Sequence, residues 1–193
     1  MRSTILFFVA AALAAPPLAG QRAARPGMWL GGGLGLGWAR VNCRFCDANR
    51  GRSLSGYAQV GSRISDHVLL GGEIAGWLRN ADPSQDRNAD ELMAAFSVVT
   101  YWYPSARKPY YLKAGLGMVT YRIDDGTDRL TSSALGPQIG AGWDLPVGAH
   151  FSFIPYVNLM FASTGAQLKF NGAPFLDGAS LELFQIGLGL ARR

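Results

Sequence analysis

Residues 132–145 read Ser-Ser-Ala-Leu-Gly-Pro-Gln-Ile-Gly-Ala-Gly-Trp-Asp-Leu. Side chains of an extended strand point to alternate faces. Leu135, Ile139, Ala141 and Trp143 therefore share one face, and Gly136, Gln138, Gly140 and Asp144 the other. The closing motif, Gly-x-Gly and a large apolar residue, recurs at Gly35-Leu36-Gly37-Trp38, Gly115-Leu116-Gly117-Met118 and Gly187-Leu188-Gly189-Leu190. One face is small or polar and the other apolar, each time. That is the pattern of a closed sheet with a crowded interior and an apolar outside.

Alternation and turn residues predict eight strands: Met28 to Val41, Leu54 to Ile64, His67 to Arg79, Glu91 to Tyr103, Pro109 to Tyr121, Ser132 to Leu145, Ala149 to Ala162 and Ser180 to Ala191. Most are long enough for a tilted membrane-crossing strand, which needs about 9–11 residues. Phe96, Val98 and Val99 blur the alternation of the fourth and allow a bulge there. The connections alternate too. Asn42 to Ser53, Asn80 to Asp90, Arg122 to Thr131 and Ser163 to Ala179 are long and polar, whereas Ser65-Asp66, Pro104 to Lys108 and Pro146 to Gly148 are short. Long external loops and short periplasmic turns are the rhythm of an outer-membrane barrel. The expected fold is all-β, an eight-stranded antiparallel up-and-down transmembrane β-barrel over residues 28–193.

Residues 1–20 read as a secretory signal peptide. Arg2 precedes an apolar run from Ile5 to Ala15, then Pro16, Pro17 and small residues to Gly20. Loss of Arg2 with the leader leaves 17 basic against 13 acidic residues, a mild excess spread over the chain. Nucleic acid is not an expected partner. Aromatics gather at the strand ends, as interfacial girdles do. Trp29, Trp102, Tyr103, Tyr110, Trp143 and Phe151 are expected at the periplasmic end, and Trp38, Trp77, Tyr121 and Phe161 at the external end. Trp29 and Tyr121 carry the wrong parity for lipid.

The leader, the Gly-x-Gly-apolar strands, the Tyr103-Pro104 exit of the fourth strand and the closing Gln185-Ile186-Gly187-Leu188-Gly189-Leu190 together resemble the small outer-membrane β-barrels, the eight-stranded OmpA/OmpX-like family. The resemblance covers about residues 28–193. It implies a place in the bacterial outer membrane among lipid and lipopolysaccharide, and insertion by the barrel-assembly machinery. Many members end on an aromatic, whereas this chain ends Leu190-Ala191-Arg192-Arg193.

Few residues suggest chemistry. Cys43 and Cys46 are the only cysteines, in the first long loop, and an exported chain favours their disulfide over a metal or redox role. Parity turns Arg63, Glu73 and Lys113 into the lumen with Gln59, Gln138, Asp144, Asn158 and Gln185. Enclosed charges are costly unless paired, so Glu73 is expected to pair with Lys113 or Arg63 in a polar network that plugs the interior. Arg44, Arg50 and Arg52 make the first loop basic and suit contact with lipopolysaccharide phosphates. The only histidines, His67 and His150, fall at periplasmic turns, and no serine completes a triad with Asp66-His67. The glycines at 31–37 do not fit a nucleotide-binding spacing. No catalysis, cofactor or resident metal is expected. The function that follows is a structural or surface-interaction role through long external loops, in a barrel expected to be monomeric. A narrow pore or small-ligand carrier using the lumen is the alternative. A secreted, soluble lipocalin-like barrel with its apolar face inside is the second.

Overall fold

The computed structural model describes residues 27–43, 51–80, 89–105 and 108–192. The expected leader, and Arg44, Cys46 and Arg50 of the first loop, lie outside the described residues. Eleven strands follow in order: β1 Met28–Asn42, β2 Gly51–Arg63, β3 Val68–Arg79, β4 Asp90–Trp102, β5 Tyr110–Asp124, β6 Arg129–Trp143, β7 Leu145–Val147, β8 Phe151–Ala162, β9 Thr164–Phe170, β10 Ala173–Asp177 and β11 Ser180–Arg192. Strands β1 to β6 pair antiparallel in sequence, β11 joins β1 to β8, and β8 closes on β6. The result is an eight-stranded barrel. The short β7 lies on β8, while β9 carries the pairing with β6 beyond the end of β8.

The register measures the membrane. A row of paired, outward-facing residues leaves β2 at Ser62 and runs through Leu70, Thr100, Ala114, Ile139, Leu159, Phe184 and Trp38. It returns to β2 at Arg52, ten residues nearer the external end. That stagger forces the strands to tilt. With strands about 4.8 Å apart and tilted about 40°, each step along the row climbs about 3 Å. Eight steps climb about 25 Å, the height of the apolar band of a transmembrane barrel. Between Ser62 and Arg52 the row is apolar except for Thr100.

A second row tells the same story. From Trp102 it passes Leu112, Ala141, Val157, Ile186, Leu36, Leu54, Leu78 and Leu92, then turns polar at Arg122, Thr131 and Lys169. Outward side chains such as Leu116, Leu34 and Leu190 are largely exposed, and the inward face holds the buried residues. A soluble barrel with an apolar inside, as in a lipocalin, would have the opposite polarity.

Several local expectations need correcting. Trp29, Trp77, Tyr103 and Tyr121 do not belong to the girdles; all four are buried inside. Trp77 lies four residues from Glu73 on β3 and so shares its face. Strand β4 runs without a register shift, with Val98 outside and Val99 inside. The third loop shrinks because β5 and β6 remain paired to Asp124 and Arg129. Residues 163–179 are not simply a loop. Most of them form the hairpin β9–β10, turning at Asn171 (φ 49°) and Gly172 (φ 85°). Two successive residues of positive φ make the kind of turn that matches the twist of paired strands, and Asn-Gly favours it.

Candidate functional site

The lumen is the most highly organised polar region. Glu73 on β3 stands between Gln59 of β2 and Ser97 of β4 in the sheet register. From the far side of β4, Lys113 of β5 places its Nζ 2.8 Å from both Glu73 carboxylate oxygens. Tyr101 donates its hydroxyl to Glu73 Oε2 at 2.8 Å, and Gln138 Nε2 donates to Oε1. Gln59 Oε1 also lies against the Tyr101 hydroxyl. The Lys113 ammonium lies 5.7 and 5.8 Å from the ring centres of Tyr57 and Tyr101. Such charge-assisted hydrogen bonds and cation–π contacts offset the desolvation of a pair whose side chains are 2% and 0% exposed.

A second polar group lies beside it. Gln185 Nε2 donates to Ser55 Oγ, whose hydroxyl donates to the Gly76 carbonyl at 2.9 Å. Asn158 faces Gln185 across β8–β11, with Nδ2 3.5 Å from its carbonyl oxygen. Gln138 thus bonds the ion pair directly, while Asn158 turns its amide to Gln185 and flanks Gly140 beside Lys113.

Arg63 does not join them. It ends β2 at the periplasmic mouth, where its guanidinium meets Asp66 at 2.7 Å and the Ser65 carbonyl at 3.1 Å. The turn acid is the nearer partner. His67 turns its Nδ1 to the Tyr103 carbonyl, 2.9 Å away, so Asp66 and His67 serve different contacts. At the external mouth Glu91 accepts from Tyr121 at 2.7 Å and pairs with Arg79, whose guanidinium lies 5.5 Å from the centre of the Trp77 ring. Arg52, the described member of the basic loop group, is exposed and points outward beside Trp38.

The Gly-x-Gly segments explain how so narrow a barrel holds these rings. A Cβ on Gly33 would lie 2.7 Å from Tyr57 Cε1 and 2.9 Å from Tyr156 Cε1. One on Gly189 would meet the Tyr57 hydroxyl at 2.7 Å, and one on Gly187 the Tyr156 hydroxyl at 2.8 Å. The two tyrosines pack edge to face, 4.6 Å between ring centres, in the space that the glycines leave.

Sequence reasoning missed Tyr101, Trp77 and the Arg79–Glu91–Tyr121 group. Strict parity with Glu73 points to Trp77, and parity in β4 points to Tyr101. Their convergence depends on the barrel's stagger, which no single strand displays.

By sequence the chain matches no known family and no curated protein. Among solved structures, the neisserial surface protein A, NspA, superposes with a TM-score of 0.60 at 13% identity, covering 86% of this chain and 96% of that one. OprG of Pseudomonas aeruginosa is more distant, with a TM-score of 0.48, 13% identity, and 88% and 98% coverage. Ail of Yersinia pestis has a TM-score of 0.48, 16% identity, and 86% and 98% coverage. The fold is that of the small outer-membrane β-barrels. With a belt of matching height, the chain is built as a transmembrane barrel.

Proposed function

We propose that this chain is a non-enzymatic outer-membrane barrel with a sealed lumen, acting through structural support of the envelope or contacts at its external end. The observation that carries this reading is the Glu73–Lys113–Tyr101–Gln138 cluster. It fills the lumen with charged and polar groups that hydrogen-bond one another around Glu73. A barrel of eight strands has an interior just wide enough for side chains to fill. The tall β5–β6–β9–β10 wall provides the external contact surface, and NspA, a surface protein by name, shares the fold.

The same reading includes export by the leader at residues 1–20 and insertion by the barrel-assembly machinery. It includes a Cys43–Cys46 disulfide in the first loop, and contact of Arg44, Arg50 and Arg52 with lipopolysaccharide. Closure of the sheet favours a monomer, because the barrel strands have no free edges in the membrane. Planar-bilayer recording tests the sealed lumen. Wild type and Glu73→Gln are both expected to give negligible conductance. Steady channels in the wild type would replace the sealed barrel with a pore.

A further inference from the structure

Pro137 and Pro155 are the only prolines among the described residues of the eight wall strands, β1 to β6, β8 and β11, and both fall on the seam between β6 and β8. Asp144 sends its N–H to the Pro109 carbonyl beside β5, and the Leu135 carbonyl accepts from Ser163 on the β8 side. Backbone groups alternate in direction along a strand, so the even residues of β6 bond to β5 and the odd ones to β8. Ile139 and Ala141 therefore exchange full pairs of hydrogen bonds with Leu159 and Val157. The same register resumes at Leu145–Phe153, which sets Trp143 opposite Pro155 and, at the other end, Pro137 opposite Phe161. Pro155 has no N–H for the Trp143 carbonyl, and Pro137 none for that of Phe161. Just above, the register slips between Ser133 and Leu135.

We infer that the β6–β8 seam is the line along which the barrel wall opens toward lipid. The ladder there holds five residue pairs, against ten to fifteen at the other wall seams. Hydrocarbon offers an unpaired carbonyl no substitute partner, so each missing N–H weakens the closed seam. A groove of about 610 Å³ lies on the outer face over the same place, bordered by Ile139 and Ala141 of β6 and by Val157 and Leu159 of β8. Lys113 and Asn158, both buried in the lumen wall, border it too. Between them stands Gly140, where an added Cβ would lie 2.5 Å from Asn158 Oδ1 and 3.1 Å from Lys113 Cε. The wall at this point is backbone alone, with the polar lumen on one side and an apolar slot on the other. Parting of the two strands joins slot and lumen sideways, while the axial plug stays in place. The inference rests on the membrane placement given above and holds whether or not the lumen conducts along its axis.

The test is amide hydrogen exchange, residue by residue, on the full-length folded barrel in mild detergent. Neighbouring amides of one strand lie at nearly the same depth and differ in the seam they close. The amides of Ile139, Ala141, Val157 and Leu159 close β6–β8, and they are expected to exchange about tenfold faster than those of Gln138, Gly140, Asn158 and Met160. The latter close β5–β6 and β8–β11. Pro137→Val/Pro155→Val restores the two missing donors with side chains that still face lipid. It should slow the odd-numbered amides about tenfold and leave the even-numbered ones unchanged. Heat-modifiable migration reports folding, and if this variant does not fold, the wild-type alternation decides alone. Equal protection of odd and even amides overturns the opening seam, as does unchanged odd-amide exchange in a folded variant. Either result leaves the membrane barrel standing. Steady axial conductance would remove the sealed lumen and not the seam, whereas a barrel that stays in buffer without detergent overturns both.

Discussion

Lys113 and Glu73 meet inside the lumen from strands β5 and β3, on either side of β4, the ammonium bridging both carboxylate oxygens at 2.8 Å. Neither side chain reaches solvent, so the two charges depend on each other. Lys113→Met would leave the carboxylate with Tyr101 and Gln138 alone. Removing one member of such a pair costs about 3–5 kcal/mol. The double variant Lys113→Met/Glu73→Gln should cost clearly less, because no uncompensated charge remains. Urea unfolding from lipid vesicles measures both. A double variant no more stable than Lys113→Met would show that packing, not charge, sets the loss.

The glycines on the two faces should answer to substitution in opposite ways. Gly33→Ala drives a methyl group to within 3 Å of Tyr57, Tyr156 and the Leu188 carbonyl. Overpacking of this kind costs about 1–3 kcal/mol. Gly72→Ala, with nothing within 4 Å of its added Cβ, faces outward and should change stability by no more than about 0.5 kcal/mol. Paired unfolding curves decide between this and a general intolerance of β3 and β1 to any side chain.

The contrast between those glycines shows which parts of the molecule are legible in the chain. Period-two alternation placed Leu135, Ile139 and Trp143 outside and Gln138 inside, and the lengths of the strands pointed to a membrane. Position along the strand misled where it overrode parity. Trp77 lies near a strand end, where a girdle is expected, but it stands four positions along β3 from inward-facing Glu73 and shares its parity. Loop rhythm similarly hid the β9–β10 hairpin, despite Asn171-Gly172 and the spacing of buried Ala166 and Leu168. Other features depend on distant register. Tyr101 reaches Glu73, and Arg122 shares a row with Lys169, because of a stagger set by all eight strands closing together.

Asn171 clamps that hairpin to the neighbouring turn. Its Oδ1 accepts the Arg129 N–H and its Nδ2 donates to Asp128 Oδ1, each at 2.8 Å, while its own N–H donates to the Arg129 carbonyl at 2.8 Å. Asn171→Gly keeps the left-handed backbone accessible and deletes the two side-chain bonds. Asn171→Ala loses the bonds and also strains the turn. Hydrogen exchange at the Arg129 amide should accelerate in both, and more in Asn171→Ala, with a local loss of about 1–2 kcal/mol. The global unfolding midpoint should barely move, since the hairpin stands beyond the end of β8. Unchanged exchange in Asn171→Gly would assign the hairpin's order to its strand pairing instead.

The turn on the other side of that clamp carries a pH dependence. Asp125 Oδ1 accepts the backbone N–H groups of Asp128 at 2.7 Å and Thr127 at 2.9 Å. These bonds hold its carboxyl below the ordinary value of 3.8, with neighbouring Asp124 opposing them. A carboxyl lowered in the folded turn favours that turn while ionised. Its contribution is complete above the ordinary carboxylate range and is lost as pH falls below 3.8 through the lowered value. The Thr127 and Asp128 amide resonances should therefore hold steady from neutral pH to about 4 and shift only below it. In Asp125→Asn the same amides should lose that acid-dependent step. A wild-type transition centred above 4 would mean that the two amide bonds do not govern this carboxyl.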